Sequence, residues 1–311
     1  MLNLRTTAVL AAGLLSALAA LAALRGLPLG SVAFWFSAVP LFAAGFAFGT
    51  PAVAQATAVG ALVTLISGGV PGSLVWLLLF ALPASLMLHA ALPRTAGAPL
   101  ALAWPFALLA LWPAGLLVAA EVALAGQPGG LSGVLHNAVL QALQRMGPVP
   151  QIDIGELAAM IVRIKPLAFA LWFALVMTTN AAIAQRLVAA RGLMTAAPAR
   201  WAMAALPRWY WPLALAAAAA SLLVPGEAGF AVRGLAMMLA VPLVLQGLAV
   251  LHVISLGRPA RPVLLAGVYV GLVLFFAPAA LALAGLGVAE HFLDLRGRRP
   301  PPGTGLRPPE D

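Results

Sequence analysis

The chain contains no cysteine. That removes disulfides, zinc–thiolate sites and cysteine nucleophiles together. Charge is nearly as scarce, at 8% of 311 residues, and it falls in short gaps between long apolar runs. A soluble chain of this length carries about 25% charged residues to cover its surface. Acid is scarcest of all: the eight acidic residues are Glu121, Asp153, Glu156, Glu227, Glu290, Asp294, Glu310 and Asp311. None falls at the centre of an apolar run, where a proton path needs carboxylates. Lysine occurs once, at Lys165, among 17 basic residues.

What the chain does have is apolar surface. Hydrophobic residues make up 63% of it and the mean hydropathy is +1.05. Lipid must solvate most of the exterior. The fold class this implies is all-α, a polytopic transmembrane helical bundle, because lipid-facing backbone has to satisfy its own hydrogen bonds. At about 20 apolar residues per pass, the chain holds eight or nine spans. The candidates are residues 7–24, 31–49, 52–66, 71–92, 100–125, 166–189, 209–224, 233–255 and 262–288. The second and third nearly touch at Gly49, Thr50 and Pro51, as either a tight hairpin or one kinked helix. Arg5 ahead of an uninterrupted apolar run reads as an uncleaved first span. Residues 1–299 form a single integral-membrane domain. Residues 300–311 form a proline-rich tail that is expected to be disordered.

The longest polar gap lies between the fifth and sixth spans. Pro128, Gly129 and Gly130 break the preceding helix. Leu131, Val134, Leu135, Val139, Leu143 and Met146 then recur at helical spacing, with Asn137, Gln141 and Arg145 on other faces. The pattern predicts an amphipathic interfacial helix, either a surface connection or a lid over a cavity. A second short helix starts near Asp153, capped by it, with Glu156 three residues on.

The sequence pI of 11.7 raises nucleic acid as a partner, but the arginines are scattered one to three per loop, as membrane flanks are. Summed along a nine-span path, basic residues divide evenly between the two sides and leave orientation open. Arginine in place of lysine, with 30 Gly and 26 Pro, points to GC-rich bacterial coding and so to the bacterial cytoplasmic (inner) membrane.

No Walker A, His-Glu-x-x-His or Gly-x-Ser-x-Gly motif occurs, which points away from an enzyme, and no cofactor or metal is implied. The polar residues at membrane depth are few. Thr179 and Asn180 fall within one span, and Gln246 lies mid-span with His252 near its end; Glu121 closes the fifth span. These five are candidates for a polar cavity or for interhelical hydrogen bonds, since such groups face the bundle interior.

Two blocks carry a family resemblance. One is Pro40-Leu-Phe-Ala-Ala-Gly-Phe-Ala-Phe-Gly49. The other begins at Gln246-Gly-Leu-Ala-Val-Leu-His252 and runs to Gly287 and on through Asp294-Leu-Arg-Gly-Arg298. Together they resemble the YybS-like bacterial multi-pass membrane family, a domain without an assigned activity. Its layout is similar to the substrate-binding membrane components of vitamin and metal importers, though this chain has extra C-terminal spans. The resemblance implies a transporter-like bundle with a small-solute cavity and a separate ATPase partner. The alternative is a non-catalytic scaffold in envelope assembly or division, with envelope proteins as partners.

Truncation after Arg299 should leave folded yield and detergent stability unchanged. A large loss of folded protein on size-exclusion chromatography would mean that the tail docks on the bundle.

Overall fold

Ala, Leu and Val dominate each apolar run, and in the absence of water their backbone must pair within its own segment, so the runs fold as helices. The computed structural model of the chain describes residues 3–93, 95, 97–147 and 153–297. Its helices are α1 (Leu4–Leu24), α2 (Gly30–Trp35), α3 (Val39–Phe48), α4 (Thr50–Trp76), α5 (Leu82–Ala91), α6 (Ala103–Leu124), α7 (Gly130–Arg145), α8 (Ile154–Ala190), α9 (Tyr210–Leu223), α10 (Gly226–Ile254), α11 (Arg261–Leu274) and α12 (Phe276–Leu293). A π-helical turn, Leu77–Ala81, joins α4 to α5. Seven helical runs among the described residues are long and apolar enough to cross a membrane. The expected tail lies outside the described residues.

The direction of each N-terminal helix is fixed by what its ends touch. A Cβ on Gly30 would strike the backbone of Ala22, and Arg5 at the other end of α1 donates to the Phe48 carbonyl. The α2–α3 run therefore returns antiparallel to α1. The chain reverses again at Gly49 (φ 83°), so the hairpin alternative holds over the kinked helix. α4 then runs parallel to α1. Gly13 lies against the Ala56 carbonyl, and Arg25 donates to the Ser67 carbonyl. At Gly69 (φ 65°) the run 50–91 folds back on itself, which places Thr57 Oγ1 3.1 Å from Ser85 Oγ. Trp76 seals this unit. Its ring lies on Gly60, where any Cβ would collide, and its Nε1 donates to Ser16 Oγ at 3.0 Å.

Three expectations need correction. The short helix at Asp153 and the span 166–189 are one helix of 37 residues, about 56 Å long by its rise. Asp153 caps it as foreseen, accepting from Gly155 N at 2.7 Å and Glu156 N at 3.2 Å. Pro166 lies inside α8 without ending it, and its ring packs against Gly234 of α10. Span 209–224 is the 14-residue α9, about 21 Å long and short of a full pass. Span 262–288 is two helices, broken at Phe275 (φ −131°, ψ 57°). Pro278 explains the break, since it offers no N–H to the Leu274 carbonyl four residues back. α12 then lies antiparallel along α10, where a Cβ on Gly287 would meet the Leu243 carbonyl and one on Gly247 the Leu283 carbonyl.

α7 places Leu131 and Val139 inward against the core and leaves Asn137, Gln141 and Arg145 exposed. At 16 residues it is shorter than a pass. With no native cysteine, single cysteines at Asn137 and Gln141 can be labelled directly. Both should react with a membrane-impermeant maleimide in intact vesicles from one and the same side. Protection of both would place α7 within the bilayer.

Candidate functional site

Buried polar side chains in this bundle converge on stretches where the backbone is not helical. The connection 191–209 between α8 and α9 is the largest of these, holding only a 3-10 turn, Trp201–Met203. Part of its backbone pairs with the 97–100 loop and with the Phe46 carbonyl, and side chains supply further partners. Gln185 of α8 meets Ala199 twice, through Nε2 to the carbonyl at 3.4 Å and Oε1 from the N–H at 3.3 Å. Gln246 of α10, fully buried, accepts from Leu206 N at 2.7 Å and donates to the Gly287 carbonyl of α12 at 2.6 Å. Arg296 donates from Nη1 to the carbonyls of Ala202 (3.0 Å) and Ala204 (2.9 Å). Its Nε bonds Glu290 Oε1 at 2.6 Å, and both partners of this ion pair are buried. A left-handed turn at Asp294 (φ 44°) folds the chain back so that Arg296 reaches Glu290. A pair so buried costs desolvation, which extra hydrogen bonds offset, as the two carbonyls and the Leu295 N–H do here.

The connection also walls a narrow apolar cleft. Trp201 and Ala204 face Phe42 and Phe46 of α3, Leu88 of α5, Phe106 of α6, and Met177 and Ala181 of α8. Its cavity volume is about 40 Å³. Among the described residues Thr178 and the indole N–H of Trp201 are the polar groups of the lining, and the Thr178 hydroxyl is tied back to the Ala174 carbonyl at 2.6 Å. Among the described residues no titratable group lines the cleft, which offers mainly apolar contact.

The five residues anticipated from the sequence do not come together here. Asn180 donates from Nδ2 to the Val176 carbonyl of its own helix and to the Trp35 carbonyl, both at 2.7 Å. Trp35 ends α2, so Asn180 serves a carbonyl freed by the break between α2 and α3. Its Oδ1 is buried with no hydrogen-bond partner among the described residues. Gln246 joins α10, α12 and the 191–209 connection. His252 has Nδ1 2.9 Å from the Leu248 carbonyl and its ring against Tyr269. Glu121 and Thr179 are half-buried on α6 and α8. None of the five lines the cleft. Gln185, Glu290 and Arg296 were not singled out. The acid and the arginine read as charges near the chain's end, and no local pattern marked them as a pair. Among the described residues no group of three or more His, Asp or Glu side chains could hold a metal ion.

No known protein family, curated protein or solved structure matches the chain. The YybS-like resemblance rests on its two sequence blocks.

Replacing Gln246 by Leu strands one buried N–H and one buried carbonyl, each costing about 1–3 kcal/mol. The variant should unfold at clearly lower temperature in detergent. An unchanged melting temperature would mean that water replaces the amide and that the region is wet.

Proposed function

We propose that this is a multi-pass protein of the bacterial cytoplasmic membrane, with a transporter-like bundle that binds an apolar solute in the cleft beside the 191–209 connection. One observation carries the proposal: the cleft is lined by aromatic and aliphatic groups, apart from the Thr178 hydroxyl, which is tied back to its own helix, and the indole N–H of Trp201. Gln246, with both amide atoms already bonded, and Asn180 lie outside the lining. An alkyl chain or small hydrocarbon ring needs neither of them, and pockets of this kind are lined mainly by aromatic and aliphatic groups. The ATPase partner implied by the importer-like layout remains part of the proposal, as the source of energy that such a component lacks.

In this assignment Thr50–Ala91 makes two passes, and the short α9 carries the chain back between α8 and α10, which run the same way. Orientation follows. Thr195 bonds the Phe46 carbonyl and Arg5 the Phe48 carbonyl, so the N-terminus lies on the side of the arginine-rich connection 186–208. Arg296 joins the same connection. The positive-inside rule makes that side cytoplasmic.

The scaffold alternative has its own support. Glycine-to-backbone contacts at Gly13, Gly247 and Gly287 are those of a dry, close-packed bundle.

A cavity-filling variant separates the two. Ala181→Trp should weaken binding of the fluorescent apolar probe 1-aminoanthracene at least about tenfold, or 1.4 kcal/mol, with the helical circular dichroism unchanged. Equal binding by wild type and variant would remove the cleft as a ligand site and leave the scaffold.

A further inference from the structure

A second concavity lies away from the cleft, between α6, α7, α8 and α10. Leu117 of α6, Leu131 and Leu135 of α7, Phe169 of α8 and Met238 of α10 line it, with Lys165 on its wall. Its volume is about 420 Å³, and it is open to the outside. Pro113 and Pro166, each inside its helix, border it. We propose that this groove is a binding site for one anionic phospholipid, with an acyl chain along the apolar wall and the headgroup phosphate on Lys165.

Charge complementarity selects the occupant. Lys165 is exposed and sits on the wall of an otherwise apolar groove. Its neighbour Pro166 packs against Gly234, so the exposed Arg233 of α10 stands one position before the same contact as Lys165. Lys165 and Arg233 therefore flank one helix contact, with Lys165 itself in the groove lining. A cation close to a membrane surface is worth about 1 kcal/mol toward anionic lipid. Beneath them the wall is aliphatic and aromatic. A free phosphate could use the cations but would gain nothing from Leu117, Phe169 or Met238. A zwitterionic lipid could fill the groove but would bring no net charge to the cations. A diacyl anionic lipid uses both. α7 adds a roof: its buried Leu131 faces the groove while Asn137, Gln141 and Arg145 stay exposed, the disposition of a helix in the headgroup layer.

The test uses the full chain in dodecyl maltoside, with dioleoyl phosphatidylglycerol, dioleoyl phosphatidylcholine and inorganic phosphate as probes. Native mass spectrometry should retain one phosphatidylglycerol under conditions that strip phosphatidylcholine, and the former alone should raise the melting temperature. Lys165→Gln combined with Arg233→Gln should weaken phosphatidylglycerol retention by about tenfold. Lys165→Arg should preserve it, and Leu135→Trp, which fills the groove, should reduce it with both charges intact. Arg25→Gln, which removes a cation on α1 remote from the groove, should change nothing. Equal retention of the two lipids overturns the proposal. So does an equal thermal shift from inorganic phosphate, which would make this a site for the bare anion. Retention unchanged in the double variant also overturns it. Should the double variant fail to fold, the wild-type lipid comparison and the Leu135→Trp variant decide in the same way.

Discussion

Backbone that leaves the helix inside a lipid-solvated bundle must find a partner there, and the rest of this structure depends on that constraint. Several interruptions are answered by a side chain from elsewhere. The break after Trp35 is met by Asn180, and the π-helical turn ahead of Pro83 by Trp112, whose Nε1 donates to the Leu78 carbonyl at 2.8 Å. The 191–209 connection takes Gln185, Gln246 and Arg296. These polar residues are scarce because each is matched to a particular gap in the helical ladder. Gln185, Gln246 and Arg296 all lie outside the lining of the cleft.

Close contact between helices depends on the absence of side chains. Gly13 admits the Ala56 carbonyl, Gly60 admits the Trp76 ring, and Gly247 and Gly287 bring α10 and α12 into backbone contact. In lipid the apolar side chains gain little from one another beyond packing, so such approaches supply much of the attraction. The aromatic group of Phe34, Phe80 and Trp172 does the same with bulk, Phe34 and Phe80 meeting edge to face at 4.7 Å.

The all-helical class was legible because apolar runs of this length have one solution in lipid. α7 was legible from its 3.6-residue period, and the start of α8 from Asp153 with Glu156. The merger across Pro166 was not, because proline usually ends a helix. The break at Phe275 hid inside an unbroken apolar run, with Pro278 its one mark. Asn180 and Gln246 stood out as polar residues at depth. Their partners did not, since these are backbone atoms 40 to 145 residues away. Backbone atoms carry no residue identity for a pattern to find. Glu290 and Arg296 were hidden for the opposite reason: charges near a chain end are ordinary, and only the left-handed turn at Asp294 makes these two a buried pair.

The Arg296 clamp imposes an order on the birth of the protein. The carbonyls of Ala202 and Ala204 are synthesised 94 and 92 residues before the guanidinium that satisfies them. A chain that stopped before residue 296 would carry every long helix and still leave those two carbonyls without the guanidinium that fastens the wall of the cleft.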